Sequence, residues 1–349
     1  MFGSTPAPAP SAAGPRPRRG GRFRAAGPPQ DARTLDSLRA AQMYYLQDMT
    51  MDAIARELRT SRSTVSRLLT MARDTGVVQI QIMNPHEQAP QLEEHIGQRF
   101  GVQAHVVPVT ESGHEAEVLE RVAIQAARTI GPLLDSNAII GVAWGSTISA
   151  VSRHLTRKVI HDGTVVQLNG AGNTQTSGIT YASEILRRFG WAYGARVEQF
   201  PVPAFFDQAS TKTAMWGERS VRRVLDLQER MTTAIFGVGS IGAEIPSHVY
   251  TGGYLDRAAL DSLAADEVAG DAATMFFRAD GSYDGIAMNS RSSGPDFDVL
   301  RAAGRRICVV SGQSKINGLR GALAAGLATD VILDDVTARS LVNDSAASG

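Results

Sequence analysis

The stretch "TMDAIARELRTSRSTVSRLLT", residues 50–70, holds two helical patterns separated by a very short turn. Thr50 is a natural N-cap for a first helix that carries Ile54, Ala55 and Leu58 inward, and Ser61 caps a second in which Val65, Leu68 and Leu69 recur at helical spacing. Two helices this close need a small residue at their crossing, and Ala55 supplies it. Ile54, Leu58, Val65 and Leu68 lock the pair, which leaves Ser61, Arg62, Ser63, Thr64, Ser66 and Arg67 at the start of the second helix facing outward. Arginine can pair bidentately with guanine, and serine or threonine can bond bases or phosphates, so the pattern predicts a DNA-reading helix over 61–73. One position departs from the usual turn: Arg59 stands where such turns favour glycine for its tolerance of positive φ.

Upstream, Leu35, Leu38, Met43 and Leu46 predict a helix with one buried face, and downstream "VVQIQIMNP" (77–85) reads as a strand or wing stopped by Asn84-Pro85. The first 33 residues are proline, alanine, glycine and arginine with little to bury, and are expected to be a disordered arm. The expected organisation is an arm at 1–33, a winged helix-turn-helix domain at 34–85, a linker helix at 86–100, an effector domain at 101–342 and a flexible tail at 343–349.

Charge follows the same division. Net charge is zero over 349 residues, yet residues 1–85 hold twelve arginines, no lysine and six acids, which puts +6 on that segment and −6 on the remainder. A basic small part joined to an acidic large part suits a polyanion reader attached to a domain with another task. No apolar run approaches a membrane span and the N-terminus lacks a signal-like apolar region, so a cytoplasmic protein is expected. The single cysteine, Cys308, sits in the apolar run "RRICVVSG" and reads as a buried strand thiol.

Beyond residue 100, short β-branched runs alternate with helical stretches. "AHVVPV", "AIIGVAWG", "TVVQLNGAG", "VEQFPVPA", "TTAIFGVG", "ATMFFR", "RRICVVSG" and "TDVILDD" read as strands; helices are expected over about 115–130, from Ile148, over 177–189 and over 211–226. That alternation predicts an α/β fold with a largely parallel sheet. "WGST" brings Gly145, Ser146 and Thr147 to a strand end that runs into a helix, a cradle for an anion or polyol. "SGQSK" places Gln313 and Lys315 in a similar turn, where the lysine can pair with phosphate. Asn169, Gly170 and Gly239 lie at further strand ends, and Asp271 and Asn289 can bond sugar hydroxyls. The first turn contains no basic residue, which keeps free sugars and polyols open beside sugar phosphates.

The region 44–82 resembles the DNA-binding module of the SorC family of sugar-responsive bacterial regulators. "GVAWGSTI", "VVQLNGAG", "AIFGVGSI", "GDAATMFFRADG" and "VVSGQSKINGLRGALAAGLATDVILDD" are similar to that family's sugar-binding domain, in order. The resemblance covers about residues 35–342. It implies a Rossmann-like effector domain related to sugar-phosphate isomerases, no cofactor, a sugar, polyol or sugar-phosphate effector, operator DNA as partner, and assembly as a homodimer or homotetramer. A sugar-phosphate isomerase or deaminase with an appended DNA-binding module is the rival reading. Asp271, Asp280, Asp284 and His248 are acid–base candidates by residue type, but no spacing singles out a pair, and the scattered histidines form no metal motif.

Overall fold

The computed structural model describes residues 30–78, 89–109, 114–241, 243 and 247–343. The chain divides into two compact units on either side of the Asn84–Pro85 peptide. The first contains α1 (Gln30–Tyr45), α2 (Met51–Glu57) and α3 (Arg62–Asp74). Thr50 caps α2 by accepting from Ala53 N, and Ser61 caps α3 by accepting from Thr64 N. Ile54, Ala55, Val65, Leu69 and Ala72 close on Ala40 and Ala41 in the core, with Leu58 and Leu68 half-buried around them. Arg59 does adopt a positive φ, 50°, between the helices.

Of the face expected for α1, Met43 packs against the core, but Leu35 and Leu38 do not and Leu46 lies past the helix end. Ser37, Ala40 and Ala41 face the core, Ser37 Oγ donating to Leu68 O at 2.9 Å, while Leu35, Leu38 and Leu46 are exposed. The expected arm and wing lie largely outside the described residues, as does the tail beyond Asn343.

The second unit begins with α4 (Ala89–Phe100) and β1 (Gln103–Val107), followed by α5 (Glu115–Ile130), β2 (Ile139–Val142), α6 (Ser146–Arg153) and β3 (Thr164–Gln167). Then come α7 (Ile179–Tyr193), β4 (Arg196–Glu198), α8 (Ala209–Trp216), α9 (Arg219–Glu229) and β5 (Thr233–Gly239). The short α10 (His248–Thr251) and α11 (Arg257–Ala265) lead to β6 (Val268–Ala272) and β7 (Met275–Arg278). α12 (Phe297–Ala302), β8 (Arg305–Val310), α13 (Ile316–Ala324), β9 (Asp330–Asp334) and α14 (Asp335–Asn343) complete it.

Seven parallel strands run in the order β1-β9-β8-β5-β2-β3-β4, and a β6–β7 hairpin pairs antiparallel with the end of β5. Alternate residues face opposite layers: Ile235, Ile307, Val309 and Ile332 pack on one side with Ile148 of α6 and Ile185 of α7. Phe236, Cys308, Val310, Val331 and Leu333 pack on the other with Leu319 of α13 and Leu341 of α14. Burial on both faces explains the nearly continuous apolar strands. Cys308 is buried in β8, and burial pushes its thiol up to about 12, so it stays protonated.

Two local features differ from the pattern. The helix expected over 211–226 is broken, because α8 ends at Gly217 and Glu218 takes an extended conformation ahead of α9. The strand expected at "ATMFFR" forms as β7, but an unexpected strand, β6, precedes it, because Ala273 and Thr274 both adopt positive φ (49° and 67°) and reverse the chain. Ile54→Ala should lower the stability of the helical unit by about 2–5 kcal/mol. Calorimetry should show the transition of the large unit unmoved.

Candidate functional site

In the helical unit the outward surface is the first turn of α3. Ser61 Oγ lies 2.8 Å from Ser63 Oγ and 2.9 Å from Thr64 Oγ1. Arg67 Nε donates to Ser63 O at 3.4 Å, and Arg62 stands 4.0 Å from the exposed Asp52. Ser61, Arg62, Ser63, Ser66 and Arg67 are exposed and Thr64 is half-buried. The helix start therefore displays two guanidinium groups, hydroxyls and free backbone N–H groups together, the set that reads base edges and phosphates.

In the large unit the chain leaves β2 for β3 on one side, whereas β5 and β8 lie on the other, so the order reverses between β2 and β5. Open α/β sheets bind ligands beyond the strand ends at such a reversal. A small hollow lies there and is lined by Trp144, Gly145, Ser146, Thr147, Asn169, Gly237, Gly239, Asp271, Thr274 and Lys315, with Ser247 and Val249 from the α10 segment.

Gly145 precedes α6 with φ 156° and ψ 166°, a conformation that favours glycine, and Ser146 and Thr147 of the first turn of α6 line the hollow beside it. Asp271 is cross-strand partner to Gly239, and a Cβ there would collide with Asp271 Oδ1. Asp271 Oδ2 accepts from Thr274 N at 3.2 Å, while Oδ1 is buried without a hydrogen-bond partner, as is Asn169 Oδ1. Burial raises the Asp271 carboxyl to about 6, against the pull of the Tyr250 phenol, the Thr274 N–H and Lys315. Lys315 is only 2% exposed; burial lowers its pKa, and the charges of Glu115 and Asp271 oppose that shift. Glu115 also accepts from Ser314 Oγ at 3.0 Å, and Asp334 accepts from Gly312 N at 2.9 Å, which fixes the turn bearing Lys315.

Other candidates lie elsewhere. Gly170 is outside the lining; its backbone oxygen accepts from Trp144 Nε1 at 2.9 Å, and the Val202 and Pro203 carbonyls leave no room for a side chain. Gln313 points away and donates to Ser340 Oγ of α14 at 2.6 Å. Asn289 is used structurally, accepting from Phe276 N at 2.8 Å and donating to Phe276 O at 2.9 Å. Trp144 stacks on Tyr254 with centroids 5.0 Å apart, and Tyr181 and His248 join this cluster above the β2 end. Ser247, Val249 and Thr274 escape sequence reasoning, because an apolar or capping residue in a loop has no spacing that ties it to distant strand ends.

A DNA-reading unit and a unit with a small polar cleft are the two halves of a transcriptional regulator. The sugar-binding domain family matches residues 84–343, and the chain belongs to it, among the SorC-type regulators. The deoxyribonucleoside regulator of Bacillus subtilis is 31% identical over 309 residues, spanning 88% of this chain and 97% of that protein. The full-length sorbitol operon regulator SorC from Klebsiella pneumoniae has a TM-score of 0.73 at 25% identity, covering 88% of this chain and 98% of that one. A domain of a possible sugar-binding transcriptional regulator from Arthrobacter aurescens is 68% identical, with a TM-score of 0.70 over 75% of this chain and 100% of that one.

The raised Asp271 carboxyl has a thermodynamic consequence. Its folded pKa of about 6 exceeds the ordinary 3.8, so the folded state holds the proton more tightly, and stability falls as pH rises between those values. Two units correspond to about 3 kcal/mol, present as a penalty above pH 6. Asp271→Asn should therefore raise the melting temperature at pH 7.5, about half as much at pH 5 and hardly at all at pH 3.5, in parallel melts of both proteins.

Proposed function

We propose that α3 reads operator DNA and that a polyhydroxylated effector, a sugar, polyol or sugar phosphate, binds in the β2/β5 cleft and changes the affinity for that DNA. The observation that carries the effector assignment is Asn169 Oδ1, a buried acceptor in the cleft wall without a hydrogen-bond partner. A buried acceptor without a donor is costly, and a ligand hydroxyl would relieve it. Lys315 and the start of α6, with Ser146 and Thr147, form the end of the cleft suited to an anionic group. On the DNA side, Ser61, Arg62, Ser63, Thr64, Ser66 and Arg67 make the base and phosphate contacts.

The protein acts as a homodimer or homotetramer on a roughly palindromic operator, in the cytoplasm, through coupling of typically 1–3 kcal/mol between the two sites. The same chemistry speaks for binding rather than catalysis. Asp280 and Asp284 stand outside the cleft lining, and His248 packs in the aromatic cluster. Among the described residues no helix is long and apolar enough to cross a membrane, and no group of acidic, histidine or cysteine side chains could hold a metal ion.

A thermal-shift screen of free sugars, polyols and sugar phosphates tests the effector assignment, since a ligand that binds only the folded state raises the midpoint. No shift with any member would sink it. Lys315→Ala should weaken a phosphorylated effector far more than a neutral one; equal losses would remove the phosphate from that end of the cleft. Arg67→Ala should cost about 1–3 kcal/mol of operator binding while effector-induced stabilisation persists. Loss of both would mark Arg67 as a folding residue.

A further inference from the structure

Residues 16–24, "RPRRGGRFR", carry five arginines in nine positions, and no acid precedes Asp31. They lie ahead of α1, outside the described residues, and neither the DNA-reading helix nor the cleft uses them. Their weight emerges from the charge of the rest of the chain. Residues 30–85 hold seven arginines and six acids, a net charge of +1. One of those arginines, Arg62 at the start of α3, stands 4.0 Å from Asp52. Residues 86–349 carry −6. Everything after residue 29 therefore sums to −5, and the five arginines ahead of it bring the chain to zero.

A DNA reader needs cations for two purposes. Contacts to bases specify the sequence, whereas contacts to phosphates supply much of the affinity by releasing the counterions that duplex DNA condenses. The first turn of α3 offers two arginines among hydroxyls, a set suited to specificity. It belongs to a unit of almost no net charge, joined to a large unit that a polyanion repels. Within the helical unit α1 packs on α3, Ser37 Oγ donating to Leu68 O. Arg24 is six residues from Gln30, so it reaches up to about 20 Å from the start of α1 at 3.3–3.6 Å per residue. The nine residues themselves span up to about 30 Å, close to one turn of duplex DNA. Apart from the arginines and Phe23, residues 3–29 are glycine, alanine, proline, serine and threonine, so little bulk keeps the arginines from a phosphate track.

We propose that residues 16–24 form a second, sequence-independent contact with duplex DNA and supply the phosphate-binding charge that the unit of α3 lacks. This rests on the reading of α3 as the DNA-reading helix. The direct link to that unit makes duplex DNA the partner, rather than RNA or an anionic membrane. Fluorescence anisotropy of a labelled duplex of arbitrary sequence, titrated with the full chain at several salt concentrations, tests it. The slope of log affinity against log salt is about −0.9 per phosphate neutralised. With Arg16, Arg18, Arg19, Arg22 and Arg24 all changed to Gln, the slope should become shallower by about four to five per bound chain. A fourfold rise in salt then weakens wild type about 500-fold more than this variant. With the same five changed to Lys, the slope should stay as in wild type, which separates charge from misfolding. A slope indifferent to the glutamines overturns the proposal, as does a lysine variant that matches the glutamine one. So does an effect of the glutamines confined to single-stranded RNA or to phosphatidylserine vesicles. The two readings fail separately. If wild type binds no duplex, both fall; if Arg67→Ala weakens duplex binding but the slope ignores residues 16–24, only the second contact falls.

Discussion

Where neighbouring parallel strands send the chain to opposite sides of a sheet, no connection can fill the gap above their ends. In this protein that gap lies over β2 and β5, and every polar group of the cleft is placed in relation to it. β2 delivers Gly145 and the start of α6 from one wall. β5 delivers Gly239, and the β6–β7 hairpin paired to its end sets Asp271 against that glycine. Lys315 comes from the turn after β8, the next strand over.

The floor of the cleft is held under tension. Ala273 and Thr274 occupy left-handed backbone conformations that cost non-glycine residues of order 1–2 kcal/mol each. Hydrogen bonds from Thr274 N to Asp271, and from Ser292 Oγ to Thr274 O and Oγ1, hold the turn. Strain, a carboxyl with a raised pKa and a buried acceptor without a donor, Asn169 Oδ1, are each unfavourable for folding. Their concentration at one place is what a site completed by its ligand would show.

The parallel α/β architecture could be read from strand runs ending in glycine turns, and the helix pair α2–α3 from caps and spacing. Ser61 and Thr50 cap where their sequence positions require, because capping depends on residues three apart. Other features resisted such reading for particular reasons. A two-residue hairpin turn announces itself by Asn-Gly or Asp-Gly, and Ala273-Thr274 carries no such signal. Leu35 and Leu38 of α1 promised a buried face, yet the helix packs through Ser37, Ala40 and Ala41 together with Met43, Tyr44 and Tyr45, since periodicity alone cannot say which face is chosen.

Local sequence therefore determined what depends on neighbours along the chain: helix caps, buried strands, the basic start of α3, and glycine turns at the strand ends. Its ordered motifs also pointed to the family. The tertiary structure alone decided which of those turns meet. It drew Asn169, Asp271 and Lys315 into one cleft and left Gly170, Gln313 and Asn289 to structural bonds elsewhere. The physical reason is that a strand-end residue shows its chemistry in sequence, while its partners are set by strand order and register, which arise from packing among segments a hundred residues apart.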